Sequence, residues 1–406
     1  MAVRLPAEPY VRGVRIRNYR SIGSCNVRLA PFTLLVGPNG AGKSNFLDAL
    51  RFVTDALRNP LEHALRDRGG IGEVRRRSKG HPRHFEIWLD INLARGGKAF
   101  YGFRVGSLPN GGFRVQEEIC RVAGVDAMDA GVEYRVEEGA VSGPAGLPER
   151  LEPDRLLLPL AAAVAPFRAL YDGLSRLGFY SLNPDRIRDL QDPDPGEMLY
   201  RDGGNLAGVV RGLQEHEPKA YERIVEYLRA VVPGVRAVEY RALGPKETIE
   251  FLQEVTSDSK PWRFFAASMS DGTLRALGVL VAALQAGNHR GVPLIGIEEP
   301  EVAIHPGAAA TLTDALLEAS HRRQVLVTTH SPDLLDHPGI APGAILAVEA
   351  VAGESHIAPM EPALVQMVKD RLYTVGELLR LEQLRPDEAA ARGVSRDPGV
   401  QDDALQ

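Results

Sequence analysis

The sequence predicts an α/β protein built on a mixed sheet, with an antiparallel β subdomain and an inserted helical arm. Three observations carry this. Short apolar runs at Phe32–Val36, Leu294–Ile297 and Val325–Thr328 read as strands buried on both faces. A glycine-rich stretch, GPNGAGKS at Gly37–Ser44, separates the first run from a segment of helical periodicity. Between these parts the pattern changes from period-two alternation to a helical period.

In chain order, residues 11–36 alternate and end in Phe32–Val36. Lys43–Leu57 places Phe46, Leu47, Leu50, Val53 and Leu57 on one helix face. His84–Leu93 and Ala99–Val105 alternate as antiparallel strands do, and short strands joined by Gly-rich turns follow to about Val136. Residues 151–232 turn helical, with proline breaks at Pro159 and Pro166 and a short strand over Gly178–Leu182. Strands return at 235–254. Then come a helix (Thr273–Ala286), a strand (Leu294–Ile297), a helix (Gly307–Ser320) and a strand (Val325–Thr328), the alternation of a parallel sheet covered on both faces. Residues 385–406 hold five acids and three arginines with few large apolar groups, the composition of a disordered tail. The expected organisation is a first lobe at 1–150, an arm with returning strands at 151–262, a second lobe at 263–384 and a tail at 385–406.

Composition sets bounds. Hydrophobic content of 44% and charged content of 25% suit an ordinary globular chain. A net charge of −5 gives no global sign of nucleic-acid binding. Two cysteines, Cys25 and Cys120, make no disulfide framework, and the N-terminus lacks an apolar signal core; both point to the cytoplasm. No apolar run has the length of a membrane span, so no membrane association is expected.

The motifs carry chemistry. Gly37, Pro38, Asn39, Gly40, Ala41, Gly42, Lys43 and Ser44 match GxxxxGK[ST] in full. The glycines let backbone N–H groups approach phosphate oxygens, and the helix starting near Lys43 adds its positive end. Lys43 is placed to neutralise terminal phosphates, and Ser44 to hold Mg²⁺. Asn45 follows at the helix start. Leu294–Glu301 (LIGIEEPE) is an apolar strand ending in acids, which a parallel sheet sets beside a phosphate loop. Glu298 is the expected Mg²⁺ acid, and Glu299 the group that orients or deprotonates water. Val325–Pro332 (VLVTTHSP) is a second such strand, bringing His330 within reach of a terminal phosphate. Ser270, Asp271 and Gly272, with Thr273, precede a helix and can offer hydroxyl and N–H groups to an anion, or simply cap that helix.

Taken in order, IRNYRSI (Ile16–Ile22), the phosphate loop, SMSDGTLR (Ser268–Arg275), IEEPEVAIHP (Ile297–Pro306), TTHSPDLL (Thr328–Leu335) and YTVGELL (Tyr373–Leu379) resemble the RecF, SMC and OLD-type group of ABC ATPases. Within it they most resemble stand-alone bacterial AAA-type ATPases that share that head. The resemblance spans residues 13–56 and 265–384, and reaches the middle only through FYSLNPDRIR (Phe179–Arg188). It implies a P-loop NTPase of the ABC-ATPase head type that uses ATP and Mg²⁺. It also implies a homodimer closed on ATP, with the signature at Ser270–Thr273 facing nucleotide on the other copy. Lys43 and Ser44 match the Walker A pair, Glu298 and Glu299 the Walker B pair, and His330 the switch histidine. Arg20 or Ser21 falls where such heads contact adenine or its sugar. The resemblance further implies DNA repair or anti-phage defence, often with a separately encoded nuclease or other effector. Glu298 departs from the Asp of many relatives, which points to slow turnover. The lid residue is open among Gln116, Asn183 and Gln191. The stretch after Ala350 is too short for an OLD-type nuclease domain, and no long coiled coil is present.

Residues 58–83 hold eight Lys/Arg (Arg58, Arg66, Arg68, Arg75, Arg76, Arg77, Lys79, Arg83) against three acids (Glu62, Asp67, Glu73). The reading is a possible DNA contact through phosphates. The alternative, a solvated loop, fits the lack of aromatic residues among the charges.

Overall fold

The computed structural model describes residues 9–78, 82–109, 111–123, 131–255, 261–285 and 291–392. The first strands are β1 (Val11–Tyr19), β2 (Ile22–Arg28) and β3 (Phe32–Val36). The alternating stretch supplies β4 (His84–Asn92), β5 (Lys98–Ser107), β6 (Phe113–Ala123), β7 (Val132–Glu137) and β8 (Ala140–Ser142). Then follow β9 (Gly178–Tyr180), β10 (Val235–Leu243), β11 (Lys246–Gln253) and β12 (Trp262–Phe265), and finally β13 (Leu294–Glu298), β14 (Gln324–Thr329), β15 (Ile345–Val351) and β16 (Glu354–Pro359).

Three sheets result. An antiparallel sheet of seven strands runs β2-β1-β4-β5-β6-β7-β8, a smaller one runs β10-β11-β12, and the central one runs β16-β15-β3-β14-β13-β9. In the central sheet β9, β13, β14, β3 and β15 are parallel, and β16 turns back antiparallel. The fold is the expected α/β mixed sheet with an antiparallel β subdomain.

The apolar strands of the central sheet serve two cores, one on each face. Leu35, Leu294, Leu326 and Leu346 join the core beneath the helix Lys43–Arg58 and the seven-stranded sheet. Leu34, Val36, Ile295, Ile297, Val325 and Val327 join the core under the helices Leu206–His216, Pro218–Val231, Asp271–Leu284 and Pro306–Ser320. Burial on both faces explains why these runs show no alternation. The helix Asp271–Leu284 is buried almost throughout, and no described helix is long and apolar enough to cross a membrane. Cys25 and Cys120 are both free and buried.

Several boundaries differ from the sequence reading. Pro159 and Pro166 start helices (Leu158–Ala161 and Ala165–Leu174) instead of breaking them, because proline fits the first helical turn, where no N–H partner is needed. The stretch 151–262 does not form one arm. Its early helices pack into the first core through Leu158, Phe167 and Leu170, and β9 is the edge strand of the central sheet. The expected tail is packed at its start: Asp387 N–H donates to Pro359 O (2.8 Å), and a short helix spans Glu388–Arg392. Residues 393–406 lie outside the described residues.

Candidate nucleotide site

The phosphate loop connects β3 to the helix Lys43–Arg58, and left-handed Gly42 (φ 106°) caps that helix. The Lys43 ammonium curls over the loop, donating to Gly37 O (2.8 Å) and Pro38 O (3.0 Å). Burial lowers its pKa from the ordinary lysine value, while the carboxylates of Glu299 and Glu301 act in the opposite sense. Those two acids are therefore close enough to be felt at the loop.

Sequence reasoning missed a second support, the β15–β16 hairpin. A Cβ at Gly37 would lie 2.0 Å from Val348 O, and one at Gly42 would lie 2.0 Å from Ser355 Oγ. Both glycines are thus required by the hairpin as well as by phosphate chemistry. At Gly40 (φ 76°) a Cβ would meet nothing within 4 Å, so the loop stays open on that side. Asn45 Nδ2 donates to Ser21 Oγ (2.6 Å), and Ser21 Oγ shares a 2.6 Å hydrogen bond with Ser355 Oγ. Arg20, the other residue of the expected adenine contact, turns instead to Asp48 (3.0 Å), which also takes Arg51 (2.6 Å), Arg68 (3.1 Å) and the Tyr19 hydroxyl (2.7 Å). The chain pattern around IRNYRSI does not reveal this cluster, because its acid lies on the following helix.

Parallel neighbours β3, β14 and β13 deliver their carboxyl ends to one edge. Glu298 ends β13, and its Oε1 is held by Arg201 Nη2 at 2.9 Å. Glu299 follows in the left-handed region (φ 43°), its N–H donating to Thr328 O (3.0 Å). That strained conformation turns its carboxylate to His330, with Oε1 3.3 Å from Nδ1. Both side chains are partly exposed. Glu301 was quoted in the motif without a role. Its Oε1 accepts from Thr329 Oγ1 (2.6 Å) and His330 N–H (3.3 Å), tying the two strand ends together, and its Oε2 is buried without a partner.

The signature lies at the start of the helix Asp271–Leu284. Ser270 Oγ accepts from Thr273 N–H (3.3 Å), which is the simple capping role. Asp271 pairs with Arg188, whose guanidinium also donates to Met269 O (3.3 Å). Gly272 packs where a Cβ would be 2.2 Å from Ala303 O, so the signature is seated on the loop that follows the paired acids.

The three lid candidates separate clearly. Gln191 is buried, with its side chain spent on Ile187 O, Gly203 O and Ala207 N–H. Gln116 lies on β6 against Gly106. Asn183 follows β9, the neighbour of β13, and so stands at the same edge as Glu298; its Oδ1 caps a short helix by accepting from Asp185 N–H (2.9 Å).

The basic stretch is mostly spent internally. Arg68 is buried between Asp48 and Asp55, Arg75 donates to Pro82 O (2.8 Å), Arg76 pairs with Glu354 (2.8 Å), Arg77 with Glu73, and Arg58 donates to Ser175 O. Arg66 and Arg83 are exposed, while Lys79 lies outside the described residues. Spacing along the chain counts charges but does not show the acids and carbonyls folded against them.

The residues fit a nucleotide and its metal. The open loop, Lys43 and the helix start can take phosphates. Mg²⁺ on a nucleotide needs only one or two protein oxygens, the rest coming from phosphate and water, and Ser44 and Glu298 can supply them. Among the described residues no group of three or more His, Cys, Asp or Glu could cage a metal.

Comparisons with known proteins agree. Residues 10–79 match the family model "AAA ATPase domain", and residues 176–336 match "AAA domain, putative AbiEii toxin, Type IV TA system". The chain is thus similar to AAA ATPase domains over these two stretches, and its fold is that of an SMC-type head. An SMC head crystallised with the C-terminal winged-helix domain of ScpA is 17% identical, covering 86% of this chain and 98% of its own at a TM-score of 0.51. An SMC head with an extended coiled coil, bound to the C-terminal domain of ScpA derived from Pyrococcus furiosus, is 14% identical, covering 90% and 99% at 0.54. No curated protein matches. The chain therefore shares its architecture with those structures, while its side chains must be argued on their own.

Proposed function

We propose that this chain binds ATP with Mg²⁺, closes head to head with a second copy, and hydrolyses the nucleotide to reopen. The observation that carries the reading is the convergence of the phosphate loop, Glu298, Glu299 and His330 at the carboxyl ends of adjacent parallel strands, with Glu299 already in contact with His330. Lys43 and the loop N–H groups hold the phosphates, Ser44 and Glu298 hold the metal, and Glu299 accepts a proton from the attacking water. His330 orients Glu299 and reads the terminal phosphate. Ser270, Asp271 and Gly272, presented on a helix start, complete the site on the other copy. Opening and closing would regulate DNA or a separately encoded effector, in repair or anti-phage defence. Because most cations of 58–83 are paired internally, an effector protein is favoured over DNA held by that loop.

Glu299→Gln tests this. The variant is expected to trap ATP and elute as a dimer from a sizing column. A variant that stays monomeric with saturating ATP and Mg²⁺ overturns the head-to-head reading.

The Arg201–Glu298 ion pair favours a second reading, a slow switch that holds an effector inactive while ATP-bound. Fast steady-state turnover by the isolated protein counts against it.

A further inference from the structure

Arg201 was singled out by no sequence motif, yet its guanidinium meets the acid assigned to the metal. The contact is a single one, Nη2 to Oε1 at 2.9 Å, with Arg201 about half exposed and Glu298 largely covered. The arginine is delivered by a braced turn. Ser181 N–H donates to Arg201 O (2.9 Å) and Asn183 N–H to Asp202 O (3.0 Å), so residues 201–202 run alongside the chain leaving β9. Tyr200 N–H donates to the Oδ1 of buried Asn205 (2.7 Å), closing the turn from the other side. The β9 strand is in turn paired to β13, Tyr180 opposite Ile297, so the position of Arg201 beside Glu298 is set by the sheet itself.

We propose that Arg201 is a positioning residue that acts as the resident cation of Glu298 and competes with Mg²⁺ for it. The inference rests on the reading of Glu298 as the metal acid. A guanidinium on one carboxylate oxygen neutralises the charge that attracts a dication and occupies a donor site the metal shell needs, directly or through water. A lone, half-solvated contact is also exchangeable, unlike a bidentate buried pair. The site therefore accepts its metal only when the ion displaces Arg201, which raises the Mg²⁺ concentration that nucleotide binding requires. Arg188, on the same stretch of chain, holds Asp271 of the signature. Exchange at Glu298 thus acts on the segment that also braces the half-site offered to the other copy.

The experiment titrates MgCl₂ against binding of a fluorescent, slowly hydrolysed ATP analogue to the full chain, with thermal unfolding confirming that each variant is folded. Arg201→Ala is expected to lower the Mg²⁺ concentration for half-maximal binding by roughly ten-fold, the scale of removing one nearby like charge in a partly solvated site. Arg201→Lys, which keeps the charge, should stay near wild type. An Arg201→Ala variant with unchanged or raised Mg²⁺ demand overturns the proposal, and a raised demand would assign the arginine to phosphate binding. Glu298→Gln separates the two levels. If it leaves the Mg²⁺ dependence untouched, the metal-acid reading itself fails. If it weakens that dependence while Arg201→Ala matches wild type, only the role of Arg201 fails.

Discussion

Glu118 and Glu299 are the same residue type used in opposite ways. Glu118, on β6, is fully buried and accepts four hydrogen bonds, from Tyr101 (3.1 Å), Tyr134 (2.8 Å) and the N–H groups of Leu157 (2.5 Å) and Leu158 (3.0 Å). It ties the seven-stranded sheet to the chain entering the helix Leu158–Ala161. Glu299, at the edge of the central sheet, is partly exposed, and its carboxylate meets His330 at a single 3.3 Å contact. A carboxylate whose capacity is all taken up by neighbours is structural; one held in a strained conformation with capacity to spare is available for chemistry.

The largest expected effect comes from the first of these. Glu118→Ala leaves two hydroxyls and two backbone N–H groups buried without an acceptor, and should cost about 3 to 5 kcal/mol in denaturant unfolding. Glu299→Gln should leave stability within about 0.5 kcal/mol while trapping ATP, as befits an exposed change away from any buried network. A comparable loss of stability in both variants would break the contrast.

Acid titration sharpens it within one sheet. Burial alone would raise the Glu86 carboxyl, but hydrogen bonds from His84 and Trp88 and the Arg104 guanidinium outweigh burial and hold it at about 2. The folded state then binds fewer protons than the unfolded chain between pH 4.5 and 2. Stability from Glu86 is present above pH 4.5 and is lost as pH falls through that window, by about 3 kcal/mol. Burial pushes Glu118 the other way, its four donors opposing without prevailing, so its contribution is lost as pH rises. Glu86→Gln should flatten the acid limb of a stability–pH curve; an unchanged limb would mean that another carboxylate governs it.

The smallest effect is reserved for the arginines. Replacing Arg75, Arg76 and Arg77 with Ala breaks two part-buried contacts and one exposed pair, worth about 1 kcal/mol or less each. DNA affinity and its salt dependence should hardly change. A marked loss of both would return the loop to the role its charge suggests.

Legibility in the sequence followed the range of the interactions. The buried parallel strands and the helix after the phosphate loop were readable because each is coded locally, by an apolar run or by the spacing of Phe46, Leu50 and Leu57. The lobe boundaries were less so, since β9 is only Gly178–Tyr180 and takes its place by pairing with a strand far along the chain. The same holds for the partners of the site. Ser355 at Gly42, Arg201 at Glu298 and Arg188 at Asp271 are distant in sequence, and no local pattern marks them. The charge count of 58–83 is incomplete for the matching reason, because Asp48, Glu354 and Ser175 O come from outside the stretch.

The pairing of β3 has a consequence for how the protein is made. Leu34 lies opposite Val327 on one side and Ile345 on the other, so the strand that leads into the phosphate loop waits for partners synthesised near the opposite end of the chain. Non-local pairing of this kind is slow, and an apolar strand with two open edges invites wrong association meanwhile. The antiparallel sheet closes on neighbours in order and can fold early. The cradle around the phosphate loop is therefore among the last regions to mature, and chains truncated before residue 345 should emerge from the ribosome with a folded β subdomain and no formed phosphate loop.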